Sequence, residues 1–214
     1  MVLHHLRRWH ASLKKLLAAL FKTRGDLKIG LYGPVNSGKT TLANAICMDF
    51  TGEKLGKVSQ VPHETREIQS KEHVEMKVNG KQLTFNLVDT PGIATKIDFE
   101  DFLKYGMTKK AAKQRAKEAT KGVIESIKWL DRMDLVLVVM DSAEDPVDQV
   151  NVTILGNLEA RNIPVIIVAN KLDVKNSNAH RIRQAFPQYP TIGISAKTGY
   201  NMEELYKTVL KTVK

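Results

Sequence analysis

Residues 27–42 constrain this chain more than any other stretch. Leu27-Lys28-Ile29-Gly30-Leu31-Tyr32 is an apolar run that reads as a short buried strand. Gly33-x4-Gly38-Lys39-Thr40 follows, and then Leu42, Ala43, Ala45 and Ile46 recur at helical spacing. A strand, a glycine-rich loop and a helix in that order form the setting of a phosphate-gathering loop. The glycines let the backbone curl so that successive N–H groups face one anionic centre. The new helix adds its unpaired N–H groups and the positive end of its dipole. In that arrangement Lys39 reaches the outer phosphates and the Thr40 hydroxyl binds Mg²⁺. The plainer reading is a glycine-rich turn in front of an ordinary helix, so the remaining chain has to decide.

With 214 residues, the chain suits one domain of ample core, or one domain with an appendage. Cys47 is its only cysteine, which rules out an internal disulfide and fits a reducing, cytoplasmic setting. We read Cys47 as a core filler. No uncharged run approaches the roughly 20 residues of a membrane-spanning helix, and no secretory signal is convincing. The net charge of +10 is uneven. Residues 1–28 hold seven Lys/Arg against Asp26, and residues 100–128 hold eight against four acids. Charge gathered in two helical-looking segments points to directed contacts with something anionic.

Residues 3–21 read as one amphipathic helix. Leu3, Leu6, Trp9, Leu13, Leu16, Leu17, Leu20 and Phe21 fall within an arc of roughly 140°, opposite Arg7, Arg8, Lys14, Lys15 and Lys22. Such a helix lies in an anionic membrane surface, docks on its own domain, or meets a protein or RNA partner. Residues 51–67 read as a loop. Val74–Val78, the Asn79-Gly80 turn and Gln82–Val88 form a β-hairpin. Residues 93–133 read as helical with a break near Tyr105-Gly106. Ala112, Ala116, Ala119, Val123, Ile127 and Leu130 are their buried stripe, under a Lys/Arg-rich outer face that simple solvation also explains. Leu135–Met140 and Ile163–Ala169 are buried strands, a short strand covers 191–194, and helices cover about 145–160, 178–186 and 201–213. Strands alternating with helices imply a mainly parallel six-stranded sheet with one antiparallel edge strand and helices on both faces.

The polar signatures all fall at carboxyl ends of expected strands, where open α/β sheets bind ligands. Asp89 is placed to hold a Mg²⁺ shell through water. Gly92 can set its N–H against a γ-phosphate. Asp173 can accept from N1–H and the 2-amino group of guanine, a donor pair that adenine lacks. Asn170 can bond the ring and neighbouring loops, the Lys171 stem can cover the base plane, and the Ala196 N–H can donate to guanine O6.

These stretches resemble the motifs of a translation-factor-class GTPase, closest to the Era/Der-like (TrmE-Era-EngA-type) branch of small GTPases. Gly33–Thr40 is similar to its G1 motif, Asp89-Thr90-Pro91-Gly92 to G3, Asn170-Lys171-Leu172-Asp173 to G4, and Ser195-Ala196-Lys197 to G5. The resemblance covers about residues 27–213 and implies an α/β P-loop NTPase G domain over 27–214, behind a basic amphipathic helix over 1–26. It implies a GTPase that hydrolyses GTP to GDP and phosphate as a slow molecular switch. Gly33, Asn36, Ser37, Gly38, Lys39, Thr40, Thr41, Asn170, Lys171, Asp173, Ser195, Ala196 and Lys197 would hold GTP or GDP. Thr40, Asp89 and Thr65 would serve Mg²⁺, and Lys39, Thr65 and Gly92 would act on the γ-phosphate. Thr65 comes from the likeness of Val58–Arg66 to switch I (about 51–68), with Thr51 as a rival. Ile93 stands where many small GTPases carry a water-orienting glutamine, which implies slow intrinsic hydrolysis. Asn36 matches the branch's Pro-x-Asn-x-Gly-Lys loop and implies K⁺ stimulation; a loop residue tolerant of left-handed dihedrals is its plainer role.

The departures are a single G domain without the KH domain of Era, a basic helical insertion in switch II (about 92–117), and the N-terminal helix. They leave two partner classes: an anionic membrane, with the protein peripheral on its inner face through residues 3–21, or ribosomal RNA met through basic helices. An unknown protein effector is implied by any switch.

Overall fold

β4, Leu135–Asp141, is the spine of the structure, a computed structural model that describes residues 27–55, 67–78, 81–94 and 97–212. Leu135, Leu137 and Val139 enter one apolar cluster and Val136, Val138 and Met140 enter another. This is the two-faced burial that a continuous apolar strand requires. Chain order is β1 (Leu27–Tyr32), α1 (Lys39–Thr51), β2 (Gln69–Val78), β3 (Lys81–Asp89), α2 (Phe99–Leu103), α3 (Lys109–Trp129), β4, α4 (Gln149–Ala160), β5 (Val165–Asn170), α5 (Ala179–Ala185), β6 (Thr191–Gly193) and α6 (Met202–Thr212). The sheet order is β2-β3-β1-β4-β5-β6. Every pairing is parallel except β2 with β3, so the edge strand is the antiparallel one expected. The Asn79-Gly80 turn lies outside the described residues.

Helices cover both faces. Leu42, Ala43 and Ile46 of α1 and Leu205, Tyr206 and Val209 of α6 pack on one side. Ile154, Leu155 and Leu158 of α4 and Ile182 of α5 pack on the other. Cys47 is buried in the first cluster, as a core filler should be. Among the described residues no helix is long and apolar enough to cross a membrane. The amphipathic segment 3–21 lies outside the described residues.

Two expectations for residues 93–133 change. Helix does not begin at Ile93. The Ile93 N–H donates to Gly33 O at 3.1 Å and Ile93 forms a parallel bridge with Pro34, so this amide is committed to the glycine-rich loop. Helix starts at Phe99, where the Asp98 side chain caps the Glu100 N–H, and breaks at Gly106 with φ +79°. The buried side of α3 takes in the expected stripe, with Leu130 buried just beyond the helix, and extends past it to Arg115, Gly122 and Ser126. Ala112, Arg115, Ala119, Gly122 and Ser126 are fully buried, whereas Val123 and Ile127 pack from its shoulders and Ala116 is half-buried. This extension goes with a contact from β1. The Tyr32 hydroxyl donates to Ser126 O at 2.9 Å, and small residues at 122 and 126 let the helix come close enough to receive it. Removed from water, the Tyr32 phenol titrates well above its ordinary range.

Candidate functional site

Because five strands run parallel, Tyr32, Asp89, Asp141, Asn170 and Gly193 end on one edge of the sheet, and the site is assembled there. The loop between β1 and α1 crosses this edge. Asn36 is exposed with φ +61°. Gly38 caps α1 with φ +95°, and a Cβ there would lie 2.3 Å from Asn170 Nδ2. The Lys39 side chain folds back so that its Nζ donates to Gly33 O at 3.2 Å and Pro34 O at 2.7 Å. Burial pulls the Lys39 ammonium down to about 8; the Asp89 charge opposes that shift and the Lys171 charge reinforces it. Ser37 is buried, and its Oγ makes no hydrogen bond among the described residues.

Thr40 Oγ1 donates to Asp89 Oδ2 at 2.7 Å. Asp89 is fully buried, and its Oδ1 lacks a well-formed hydrogen bond among the described residues. Burial raises the Asp89 carboxyl above its usual range, while the Thr40 hydroxyl, the Lys39 charge and the Thr90 amide pull it back. A buried carboxylate oxygen of this kind, beside a hydroxyl, suits a hard divalent cation that takes oxygen ligands. Gly92 has a further reason to be glycine. A Cβ there would lie 2.7 Å from Val35 Cα, so the residue gives the glycine-rich loop room to pass.

Three more loops close the cradle. Asn170 is buried and used twice: its Nδ2 donates to Ser37 O at 3.0 Å and its Oδ1 accepts the Ala196 N–H at 3.0 Å. That Ala196 N–H, expected to be offered outward, is therefore already shared with a side chain. Ser195 Oγ donates to Asp173 Oδ1 at 2.6 Å and accepts the Thr198 N–H. The Ser195 hydroxyl holds the exposed Asp173 carboxyl below its ordinary range. Lys171 has φ +66°, and its Nζ donates to Asp141 Oδ2 at 2.7 Å. Thr41 is half-buried in the first turn of α1, and Lys197 is exposed beside Ala196.

Thr65 lies outside the described residues. Its rival Thr51 is at the far end of α1, about 18 Å along the axis from Lys39. There its hydroxyl donates to Cys47 O, so the geometry gives it no place in the cradle. Sequence reasoning missed Asp141 and Ser142. The only signal for them was a polar pair ending an apolar run.

A family profile described as 50S ribosome-binding GTPase matches residues 28–171. The chain belongs to this GTPase family. The GTPase Der of Nautilia profundicola is 28% identical over 195 residues, covering 88% of this chain and 37% of its own. The chain thus spans well under half the length of that relative. An Era variant from Aquifex aeolicus bound to GDP·AlF4⁻ superposes with a TM-score of 0.66 at 24% identity, over 87% of this chain and 56% of Era. Era in complex with MgGDPNP and nucleotides 1506–1542 of 16S ribosomal RNA gives 0.65 at 24% identity, over 86% of this chain and 56% of that one. The two Era structures share the fold of this chain.

Proposed function

We propose that the chain is a GTP-binding switch that hydrolyses GTP slowly to GDP and phosphate. The observation that carries this reading is the double use of Asn170. One amide side chain joins the loop that gathers phosphates, through Ser37, to the loop that meets a base, through Ala196. Phosphate capture and base selection are thereby parts of one rigid cradle.

Each residue then has a task. Lys39 leaves the Gly33 and Pro34 carbonyls for the outer phosphates, and Ser37 Oγ gains an acceptor. Thr40 and Asp89 hold Mg²⁺, with Thr65 as a further ligand from switch I. The ion, when bound, neutralises charge on the transferring phosphate. Gly92 offers its N–H to the γ-phosphate. Asp173, held by Ser195, selects guanine by accepting two donors, and Lys171 covers the base. Ile93 is buried and its N–H is engaged, so it does not polarise water; hydrolysis is slow until a partner or ion helps. Asn36 supplies an oxygen for K⁺. Domain limits of 1–26 and 27–214, with switch I at 51–68 and switch II at 92–117, follow from this reading. The test is calorimetry with GDP, GTP and ATP in Mg²⁺. Tight guanine binding with ATP weaker by about a hundredfold or more is expected, and equal affinity overturns the reading.

A second element concerns the partner. Lys110, Lys113, Lys117, Lys121 and Lys128 are exposed along α3 within an arc of about 80°. This ridge favours contact with ribosomal RNA over a purely solvated face, and Era supplies a precedent with 16S RNA. Binding of an rRNA fragment that weakens steeply with salt and survives removal of residues 1–24 is the expected result. Pelleting with anionic vesicles that is lost on that truncation would instead favour a cytoplasmic protein peripheral on the membrane.

A further inference from the structure

The carboxyl end of β4 supplies a bracket for the loop that follows β5. Parallel pairing ends with Asp141 opposite Asn170. One residue on, Ser142 is buried, and both its N–H (3.0 Å) and its Oγ (2.6 Å) donate to Asn170 O. The Ser142 carbonyl accepts the Asn178 N–H at 2.8 Å, which closes the bracket around residues 170–178. Within it, the Asp141 carboxylate uses both oxygens. Oδ1 accepts the Ala143 N–H at 3.0 Å and Oδ2 accepts the Lys171 ammonium at 2.7 Å. The two side chains are 19% and 32% exposed, so the pair is sheltered on most of its surface.

Two conditions make this pairing more than a surface ion pair. The Lys171 main chain is held left-handed at φ +66°, between an Asn170 carbonyl fixed by Ser142 and a Leu172 N–H donated to Ile194 O. Its backbone is therefore fixed, and the remaining freedom lies in the four-carbon stem. The Asp141 carboxylate, itself locked by Ala143, removes that freedom by holding the tip.

We infer that Asp141 is a positioning residue for nucleotide retention: by anchoring the Lys171 ammonium it holds the lysine stem in place as the cover of the purine. This rests on the guanine-nucleotide reading above. Without the Asp141 charge the stem wanders, the base loses its cover, and bound nucleotide leaves sooner. The capture of phosphates is untouched.

The experiment is a chase of a fluorescent GDP analogue by unlabelled GDP, on the whole chain with Mg²⁺. Asp141→Asn keeps the shape and the bond from Ala143 but removes the charge. Release about fivefold faster than in the unaltered protein is expected, the effect of a well-placed, half-sheltered ion pair. Single-turnover hydrolysis at saturating GTP stays within twofold. Asp141→Glu, which keeps the charge, restores part of the retention. In a Lys171→Gln background the Asp141→Asn change adds less than twofold. Release unchanged in Asp141→Asn, or an equal acceleration with and without Lys171, overturns the inference, the second result because it marks a general structural role. Failure of the unaltered protein to take up the GDP analogue overturns the guanine reading itself, and this inference with it.

Discussion

Thr40 Oγ1 donates to Asp89 Oδ2 across 2.7 Å, joining residues 49 positions apart at the first turn of α1 and the last residue of β3. The bond leaves Asp89 Oδ1 buried without a well-formed partner among the described residues. An acid whose folded pKa lies above its unfolded value binds protons better when folded. Its burden on stability therefore grows as pH rises from 3.8 toward the raised folded value. Asp89→Asn removes that burden. The nucleotide-free variant should melt on the order of 2–4 °C higher at neutral pH, while the Mg²⁺-dependent gain in Tm with GDP largely disappears. Differential scanning fluorimetry with and without Mg²⁺–GDP checks both halves.

Lys39 makes the opposite case. Its ammonium, lowered to about 8 from 10.5, is shed by the folded chain while the unfolded chain still holds it. Stability of the nucleotide-free protein should rise with pH across that window. A bound phosphate restores the charge, so GDP binding at pH 8 should take up about half a proton through this group and almost none at pH 6.5. Calorimetry in buffers of different ionisation enthalpy reads that number directly.

Gly92→Ala separates two reasons for a glycine. A methyl group there meets Val35 Cα at 2.7 Å, a main-chain neighbour that has no side-chain freedom to yield. The variant should lose roughly 1–3 kcal/mol of stability even without nucleotide, seen as a drop in urea midpoint. A normal midpoint with impaired hydrolysis would leave only the γ-phosphate reason standing.

Ser195→Ala tests the base-selecting end. It removes the hydroxyl that fixes Asp173 Oδ1 at 2.6 Å and leaves the carboxylate in place. Preference for GDP over ADP should narrow by about tenfold, the scale of one charged hydrogen bond, with phosphate-dependent binding retained. Competition of the two nucleotides for one fluorescent probe measures it.

Asn36 is left-handed at φ +61°, a conformation glycine adopts freely. Asn36→Gly thus keeps the loop and removes only the side chain. Turnover should be faster in KCl than in NaCl for the native sequence and equal in the two salts for the variant. Equal turnover in the native sequence removes K⁺ from the account.

Much of this was legible in advance for definite reasons. Leu135–Met140 announced a strand buried on both faces because no polar residue interrupts it, and a mainly parallel sheet with one antiparallel edge followed from strands alternating with helices around one hairpin. Gly33–Thr40 and Asn170–Asp173 announced themselves because their chemistry is local to a few residues. What stayed hidden depended on distant partners. Whether Ile93 starts a helix is decided by Gly33 O, 60 positions upstream by number. That the inner side of α3 extends to Gly122 and Ser126 goes with a phenol in β1 that bonds to Ser126 O from 94 positions upstream. Asp141 looked like the mere end of an apolar run, and its pairing with Lys171 appears only once the register sets it opposite Asn170.

The bond from Tyr32 to Ser126 has a mechanical meaning. It rivets the rear third of α3 to the strand that runs into the glycine-rich loop, so that portion is fixed to the frame. The exposed Lys109 and Lys110 stand at the opposite tip of α3, about 25 Å along the axis, so one continuous helix spans from the frame to the outermost charge.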